Sequence, residues 1–240
     1  MCEICRQDWC RPFAPSRRSF LIAASALLVS GAALAKDKKP PKPENVLSPD
    51  AALKRLLKGN ERYVEGESRR HEFKREREAL VAGQNPYAAI LSCADSRIAP
   101  EYAFDSGRGD LFVCRVAGNF ASDEVVASLE YAVAVLATPL ILVLGHDRCG
   151  AVDAAIKSLK DGTTLPGHLP SLVTALAPAV KAVSQQSGEA LSNAIRQNVI
   201  DNTAHLKSAT PILSAAVEQN KLKVVGGIYR LKDGRVDMIV

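Results

Sequence analysis

The chain has 240 residues, of which 47% are hydrophobic, 24% charged and 5% aromatic, and its formal net charge is +5. This composition is typical of a globular protein and excludes a collagen, an extended disordered chain and a disulfide scaffold. Because 31 basic side chains are nearly balanced by 26 acidic ones, the charge gives no case for nucleic acid as the main partner.

Residues 1–35 have the parts of an export signal peptide. A charged segment ending in Arg17 and Arg18 precedes an apolar run over residues 20–35 that ends in small residues. The adjacent arginines resemble a twin-arginine signal, which predicts export to the periplasm. A retained membrane anchor is the alternative, but the run is shorter than the ~20 residues of a span. We therefore expect cleavage after Ala35 and no stable membrane span after processing.

One folded domain is predicted over residues 48–240, after a flexible linker rich in proline and lysine over residues 36–47. Ser48 followed by Pro49 is a helix start signal, and leucines at helical spacing come after it. Short apolar runs bounded by glycine, proline or polar residues predict three buried strands, over residues 87–92, 111–115 and 140–145.

Further helices and a hairpin complete the predicted domain. Ser122 is expected to cap a helix whose core face includes Leu129. The remaining elements are two helical segments, over residues 151–160 and 170–206, the second of them broken near Ser187 and Gly188, and a closing hairpin, over residues 222–229 and 235–240. Strands that alternate with helices predict an α/β domain with a central, mostly parallel β-sheet flanked by helices.

Three residues with metal-ligating side chains follow two of the predicted strands. Cys93 comes directly after the first strand, and His146 and Cys149 come after the third. Open α/β sheets bind ligands at the carboxyl ends of their strands. Two thiolates and one imidazole are a typical zinc set, and three protein ligands with an open position are the catalytic arrangement. The alternative is three unrelated residues, with one or two buried thiols and a chance histidine.

A carboxylate and a guanidinium follow the first of these ligands. Asp95 can bind a metal as its fourth ligand, in a closed state, or accept a hydrogen bond from water at the open position. Arg97 can hold this carboxylate through bidentate hydrogen bonds. Without a neighbouring metal ligand, the same pair would be interpreted as a salt bridge within a turn.

The segments CADSR, at residues 93–97, and HDRCG, at residues 146–150, together resemble the signature of β-class carbonic anhydrases. The resemblance covers the chain from about Ser48 to Val240. It implies the β-carbonic anhydrase fold for a catalytic domain over residues 48–240. The activity it implies is the reversible hydration of carbon dioxide to bicarbonate and a proton, with one zinc ion per subunit as the cofactor.

The resemblance also implies the role of each site residue. Cys93, His146 and Cys149 correspond to the zinc ligands, and Asp95 and Arg97 correspond to the catalytic pair beside the fourth position of the ion.

Three more positions match the plant-like branch of the family. Gln84 resembles the glutamine that bonds bicarbonate, and Phe112 and Tyr131 correspond to aromatics that line the carbon dioxide pocket. In the family such groups come partly from the neighbouring subunit, so the resemblance implies a homodimer or a higher even oligomer. Val116 stands where the family usually has asparagine, which leaves open how the loop after the second strand is hydrogen-bonded.

Two other functions remain open at this point. A sibling enzyme that hydrolyses carbon disulfide or carbonyl sulfide would use the same ligands and differ in substrate access. A non-catalytic protein whose zinc stabilises an interaction surface is the second alternative. Asp95, Arg97 and Gln84 argue against it, because a structural zinc site needs none of them.

Overall fold

The computed structural model describes residues 46–240, so the predicted export signal and most of the predicted linker lie outside the described residues. Within residues 46–240 no helix is both long and apolar enough to cross a membrane. The helices and strands of this range are α1 Pro49–Glu65, α2 Phe73–Leu80, β1 Ala88–Ser92, α3 Pro100–Ala103, β2 Leu111–Arg115, α4 Asp123–Ala134, β3 Leu140–His146, α5 Gly150–Asp161, α6 Leu169–Ala182, α7 Ala190–Ser208, α8 Ile212–Glu218, β4 Lys223–Tyr229 and β5 Val236–Met238.

The strands form one sheet in the order β2-β1-β3-β4-β5. The first four are parallel to their neighbours, and β5 runs antiparallel to β4. β1 and β3 are buried along their whole length, as expected for strands that are covered on both faces. The predicted α/β fold, its mostly parallel sheet and its closing hairpin are confirmed.

Alternate residues of each strand point to opposite faces of the sheet, where two apolar cores cover it. Leu91 of β1 belongs to the same core as Leu129 of α4 and Val199 of α7. Its neighbour Ile90 belongs to the opposite core, together with Leu56 of α1. Burying one such side chain stabilises the fold by about 1.5–3 kcal/mol, so both cores hold the strand ends in place.

Glycines allow α7 to lie directly against the sheet. A Cβ added at Gly145, in β3, would lie 2.6 Å from Val199 Cγ2, and one added at Gly226, in β4, would lie 2.7 Å from Val199 Cγ1. Any larger residue at either position would therefore push the helix away. Because Gly145 immediately precedes His146, this contact places α7 beside the carboxyl end of β3.

The two predicted serine caps have different outcomes. The Ser48 hydroxyl accepts a hydrogen bond from the Ala51 N–H at 3.3 Å, so this cap is confirmed. Ser122 is the N-cap residue of α4, as predicted, but its side chain makes no hydrogen bond to the first turn of the helix. Its hydroxyl donates to the Glu124 carboxylate at 2.8 Å.

Candidate metal centre

Cys93, His146 and Cys149 lie together at the carboxyl edge of the sheet. Cys93 follows β1, His146 ends β3, and Cys149 immediately precedes α5. All three are buried, and their ligand atoms lie within 4.8 Å of one another. The two sulfurs are 3.9 Å apart, close to the separation of about 3.8 Å for two thiolates at ~2.3 Å from a tetrahedral zinc ion. The spacing of the cluster therefore fits zinc.

His146 has one ring nitrogen bonded and one without a partner. Its Nδ1–H donates to the Asp147 carbonyl oxygen at 2.8 Å, which leaves the lone pair of the ring on Nε2. Nε2 is fully buried and has no hydrogen-bond partner among the described residues. A buried polar atom without a partner costs free energy, and a metal ion at this position would satisfy it.

The two thiols differ in acidity because they lie against each other. The hydrogen bond with Cys149 lowers the pKa of Cys93 to about 4, and the Gly118 N–H, 3.3 Å from Cys93 Sγ, acts in the same direction. The same contact with Cys93 raises the pKa of Cys149, because a second negative charge beside the first is unfavourable. Ionising both thiols at once would therefore require a cation between them, as in a zinc site.

Asp95 and Arg97 form a bidentate ion pair beside the cluster. Arg97 Nε donates to Asp95 Oδ1 at 2.8 Å, and Arg97 Nη2 donates to Oδ2 at 2.7 Å. These bonds with Arg97 hold the pKa of the Asp95 carboxyl far below its ordinary value. Asp95 Oδ2 is also 3.9 Å from His146 Nε2, so an ionised carboxylate faces the cluster while both of its oxygens are bonded to Arg97.

Arg115 is a site residue that the sequence analysis did not identify. Its Nε donates to the Cys93 carbonyl oxygen at 3.0 Å, and its Nη2 donates to the carbonyl oxygens of Asp95 at 2.7 Å and Ile98 at 2.8 Å. The guanidinium thus fixes the backbone of the loop that carries Cys93 and Asp95. In the sequence, the one indication of this role is that Arg115 ends the strand that lies next to β1.

The loop after β2 is held by its backbone where Val116 replaces the expected asparagine. The Val116 N–H donates to the Ser92 carbonyl oxygen at 3.1 Å, and its own carbonyl oxygen accepts from the N–H groups of Ala94, at 3.2 Å, and Asn119, at 2.9 Å. The valine side chain packs against the apolar core. The loop therefore keeps its connection to β1 without a polar side chain at this position.

Gln84, Phe112 and Tyr131 lie away from the cluster of their own chain. Gln84 is exposed in the loop before β1, and Cys93 follows the other end of this strand, whose five residues of ~3.3 Å each span roughly 16 Å. Phe112 pairs with Ala89 on the neighbouring strand, four residues before the level of Cys93. Tyr131 is 48% exposed, and its ring centroid is 6.4 Å from that of Phe112. The structure therefore brings the two aromatics together but leaves Gln84 apart.

Known proteins resemble this chain over most of its length. The family model described as carbonic anhydrase matches residues 88–236. Carbonic anhydrase 2 of Mycobacterium tuberculosis is 41% identical over 189 residues, which cover 78% of this chain and 91% of the relative. The carbonic anhydrase of Mycolicibacterium smegmatis is 37% identical over 192 residues, which cover 80% of this chain and 93% of that one.

Solved structures agree with these sequence relatives. The β-carbonic anhydrase CcaA superposes with a TM-score of 0.60 at 28% identity, over 78% of this chain and 98% of that chain. A tetrameric β-carbonic anhydrase of Sordaria macrospora has a TM-score of 0.61 at 23% identity, over 79% of this chain and 94% of that chain, and shows the shared fold. By family model, by curated relatives and by fold, the chain belongs to the β-class carbonic anhydrases, a family of enzymes.

Proposed function

We propose that this enzyme uses zinc to hydrate carbon dioxide reversibly to bicarbonate and a proton. The observation that carries the proposal is the buried cluster of Cys93, His146 and Cys149, in which His146 Nε2 has no partner among the described residues, beside an Asp95 carboxylate held by Arg97. The comparisons support carbon dioxide as the substrate. They do not support the alternatives of a carbon disulfide or carbonyl sulfide hydrolase or of a non-catalytic zinc protein.

The three cluster residues would hold the ion, and zinc lowers the pKa of water so that hydroxide is available near neutral pH. Two thiolates would neutralise the formal charge of Zn²⁺, so water at this site should be less acidic than at a zinc ion held by three histidines. Asp95, kept ionised by Arg97, would accept a hydrogen bond from the hydroxide and so orient the lone pair of the hydroxide oxygen toward the carbon of carbon dioxide. Such fixed acceptors and donors at a reacting group are a main source of catalysis.

The carbon dioxide side of the site is proposed to need a second copy of this chain. Gln84 would donate to an oxygen of the developing bicarbonate, and Phe112 and Tyr131 would line the apolar pocket that a nonpolar gas requires. Gln84 lies roughly one strand length from the cluster of its own chain, so a neighbouring subunit is the better source of it. β2 is an edge strand of the sheet with partly exposed side chains, which makes its outer side available to a homodimer.

A pH-indicator stopped-flow assay on zinc-quantified protein tests this function. We expect hydration of carbon dioxide in proportion to bound zinc between about pH 7 and 9. The absence of catalysis in fully loaded protein over this range would contradict the proposal. A parallel assay with carbonyl sulfide distinguishes the sibling hydrolase, which would act on that substrate alone.

We also propose that residues 1–35 direct the protein to the periplasm by the twin-arginine route and are then removed. The support is the arginine pair before an apolar run that ends in small residues. Because Cys93 and Cys149 would be open to oxidation outside the cytoplasm, folding around zinc before export would protect them. Replacing Arg17 and Arg18 with lysine is expected to leave active precursor in the cytoplasm, measured by cell fractionation. Normal periplasmic yield of this variant would contradict the route.

A further inference from the structure

A backbone hydrogen bond reaches one of the ligand sulfurs. The Gly118 N–H donates to Cys93 Sγ at 3.3 Å in a buried environment. An N–H that donates to a thiolate draws negative charge away from the sulfur and so weakens the donation of the sulfur to a metal. Two of the three proposed ligands are thiolates. A hydrogen bond to one of these sulfurs therefore affects how strongly the metal ion would polarise a bound water molecule. The orientation of Gly118 is therefore part of the metal centre.

Gly118 has an unusual backbone conformation and no side chain to hold it. Its φ angle is +86°, and a Cβ at this position would lie 2.9 Å from Leu176 Cδ1. Glycine is the residue that accepts both conditions without strain. Because glycine also has the most backbone freedom, the direction of its N–H must be fixed by bonds to the neighbouring peptide groups.

A buried amide on α7 supplies one of these bonds. Asn198 is 2% exposed, and its Nδ2 donates to the Gly118 carbonyl oxygen at 2.8 Å. Asn198 precedes Val199, the residue that lies against the sheet where Gly145 and Gly226 leave room for it. The amide is thus carried by a helix whose distance from the sheet is fixed by packing.

A second asparagine, one helical turn later, holds the first. Asn202 Nδ2 donates to the Asn198 carbonyl oxygen at 2.8 Å and to Asn198 Oδ1 at 3.0 Å. Asn202 Oδ1 accepts from the Ala121 N–H at 2.7 Å. The two asparagines therefore hold both ends of the loop over residues 118–121, and a continuous path of hydrogen bonds and backbone runs from α7 to Cys93 Sγ.

We propose that Asn198 is a positioning residue for Cys93. It fixes Gly118 so that the Gly118 N–H points at the ligand sulfur, and it thereby sets how strongly that sulfur donates to the metal. This inference rests on the proposed zinc site and adds to it a control element that is not a ligand. A merely structural asparagine would hold the loop to the helix without any effect on the electronic state of the metal–sulfur bond.

The test uses the full-length protein with Co²⁺ in place of Zn²⁺, because cobalt bound to thiolate has a sulfur-to-metal charge-transfer absorption. Asn198→Leu keeps the approximate size of the side chain and removes the donor. We expect its charge-transfer band to move to longer wavelength, because a sulfur that loses a hydrogen bond holds its electrons less tightly. Zinc affinity, measured by competition with a chromophoric chelator, is expected to fall by about tenfold, because the loop no longer holds Cys93 in the geometry of a ligand and this loss outweighs the stronger donation of the sulfur.

Asn193→Leu is the matched control on the same helix. The Asn193 Nδ2 also donates to a loop carbonyl oxygen, that of Ser187, at 3.1 Å, but this loop does not lead to a ligand. We expect its band and its zinc affinity to equal those of the parent. Asn202→Asp is a second test in case Asn198→Leu does not fold. It keeps the acceptor for the Ala121 N–H, removes both donations to Asn198, and is expected to shift the band in the same direction by a smaller amount.

Specific results would overturn the inference. If the charge-transfer band lies at the same wavelength in the parent, in Asn198→Leu and in Asn202→Asp, then Asn198 does not act on the sulfur. An equal shift in Asn193→Leu would show a general effect of changing α7. A parent protein without any charge-transfer band would overturn the metal centre itself, and this inference with it, whereas an unchanged band leaves the zinc site standing.

Discussion

The metal cluster and the carbon dioxide side of the site differ in how much of each one chain provides. Cys93, His146 and Cys149 are buried and lie within bonding range of one ion. Gln84 and Tyr131 are exposed and lie on other parts of the same chain. A single subunit therefore provides all three proposed zinc ligands, whereas the proposed substrate pocket would need residues of a second subunit. Substitution of a proposed ligand should therefore remove zinc, whereas substitution in the proposed substrate pocket should lower the rate and leave zinc in place.

Removing a ligand should have the largest effect. His146→Ala deletes the buried nitrogen that has no protein partner among the described residues, so zinc is expected to be lost and hydration to fall by more than about 10³-fold. Zinc content by atomic absorption and stopped-flow rates measure this. Full zinc content with normal rates in this variant would show that His146 is not a zinc ligand.

Asp95→Asn should separate zinc binding from catalysis. The amide cannot remain an ionic partner of Arg97 while it accepts a hydrogen bond from the attacking hydroxide, so activity should fall by about 10²–10³-fold. Zinc content should stay at the parent value, because the three ligands are unchanged. If the variant turns over at the parent rate, the ion pair with Arg97 only stabilises the loop.

Gln84→Ala should have a smaller effect and identify the subunit that supplies the glutamine. The loss of one hydrogen bond typically costs about 1–3 kcal/mol, or roughly 5–150-fold in rate, with zinc unchanged. Mixed dimers of Gln84→Ala and Asp95→Asn chains would each contain one intact site if Gln84 acts across the interface. Random mixing should then restore about a quarter of the parent activity, since half of the dimers are mixed. Activity no higher than that of the separate variants would place Gln84 in its own chain or outside the site.

Asp105→Asn should lower stability with little effect on zinc. Asp105 lies in the loop before β2, near the Gln84 side of the sheet, and its buried carboxylate pairs with Arg62 and Arg69 and lies 4.0 Å from His71. Burial by itself would raise the pKa of this carboxyl, but the arginines lower it below its ordinary value. We expect a loss of roughly 1–3 kcal/mol at neutral pH, less than for a fully buried pair because Arg62 is partly exposed.

The sign of the pH dependence follows from the lowered pKa of Asp105. Its stabilisation is present above the ordinary pKa of about 4 and is lost as the pH falls through the folded-state pKa. The difference in unfolding free energy between parent and Asp105→Asn should therefore shrink as the pH is lowered toward 3 in urea titrations at about one-unit steps. A difference that stays constant over this range would exclude the ion pairs as its cause.

The sequence predicted the features that depend on neighbouring residues. Buried strands are continuous apolar runs, so β1, β2 and β3 were predicted to within one residue at either end. Cys93 and His146 were identified because they stand at strand ends. The short helices α2, α3 and α8, with eight, four and seven residues, are too short for a clear helical repeat, and they were missed.

The contacts that support the site were less predictable because they join distant parts of the chain. Arg115 bonds to the Cys93 carbonyl across 22 residues, and Asn198 bonds to Gly118 across 80 residues. No helical or strand periodicity links residues at these separations, and no short motif contains both partners. The capping position of Ser122 was predicted, but the bond of its hydroxyl to the Glu124 carboxylate was not.

The contact of Val199 with Gly145 and Gly226 has a consequence for how this sequence can diverge. A methyl group at either glycine would lie within 2.7 Å of the valine side chain. A larger residue in the strand would therefore require a smaller residue than valine at position 199 of the helix. The three positions should therefore covary among homologues as one volume-conserving set. Because Asn198 is adjacent to Val199, a change in this packing would also move the amide that donates to the Gly118 carbonyl oxygen.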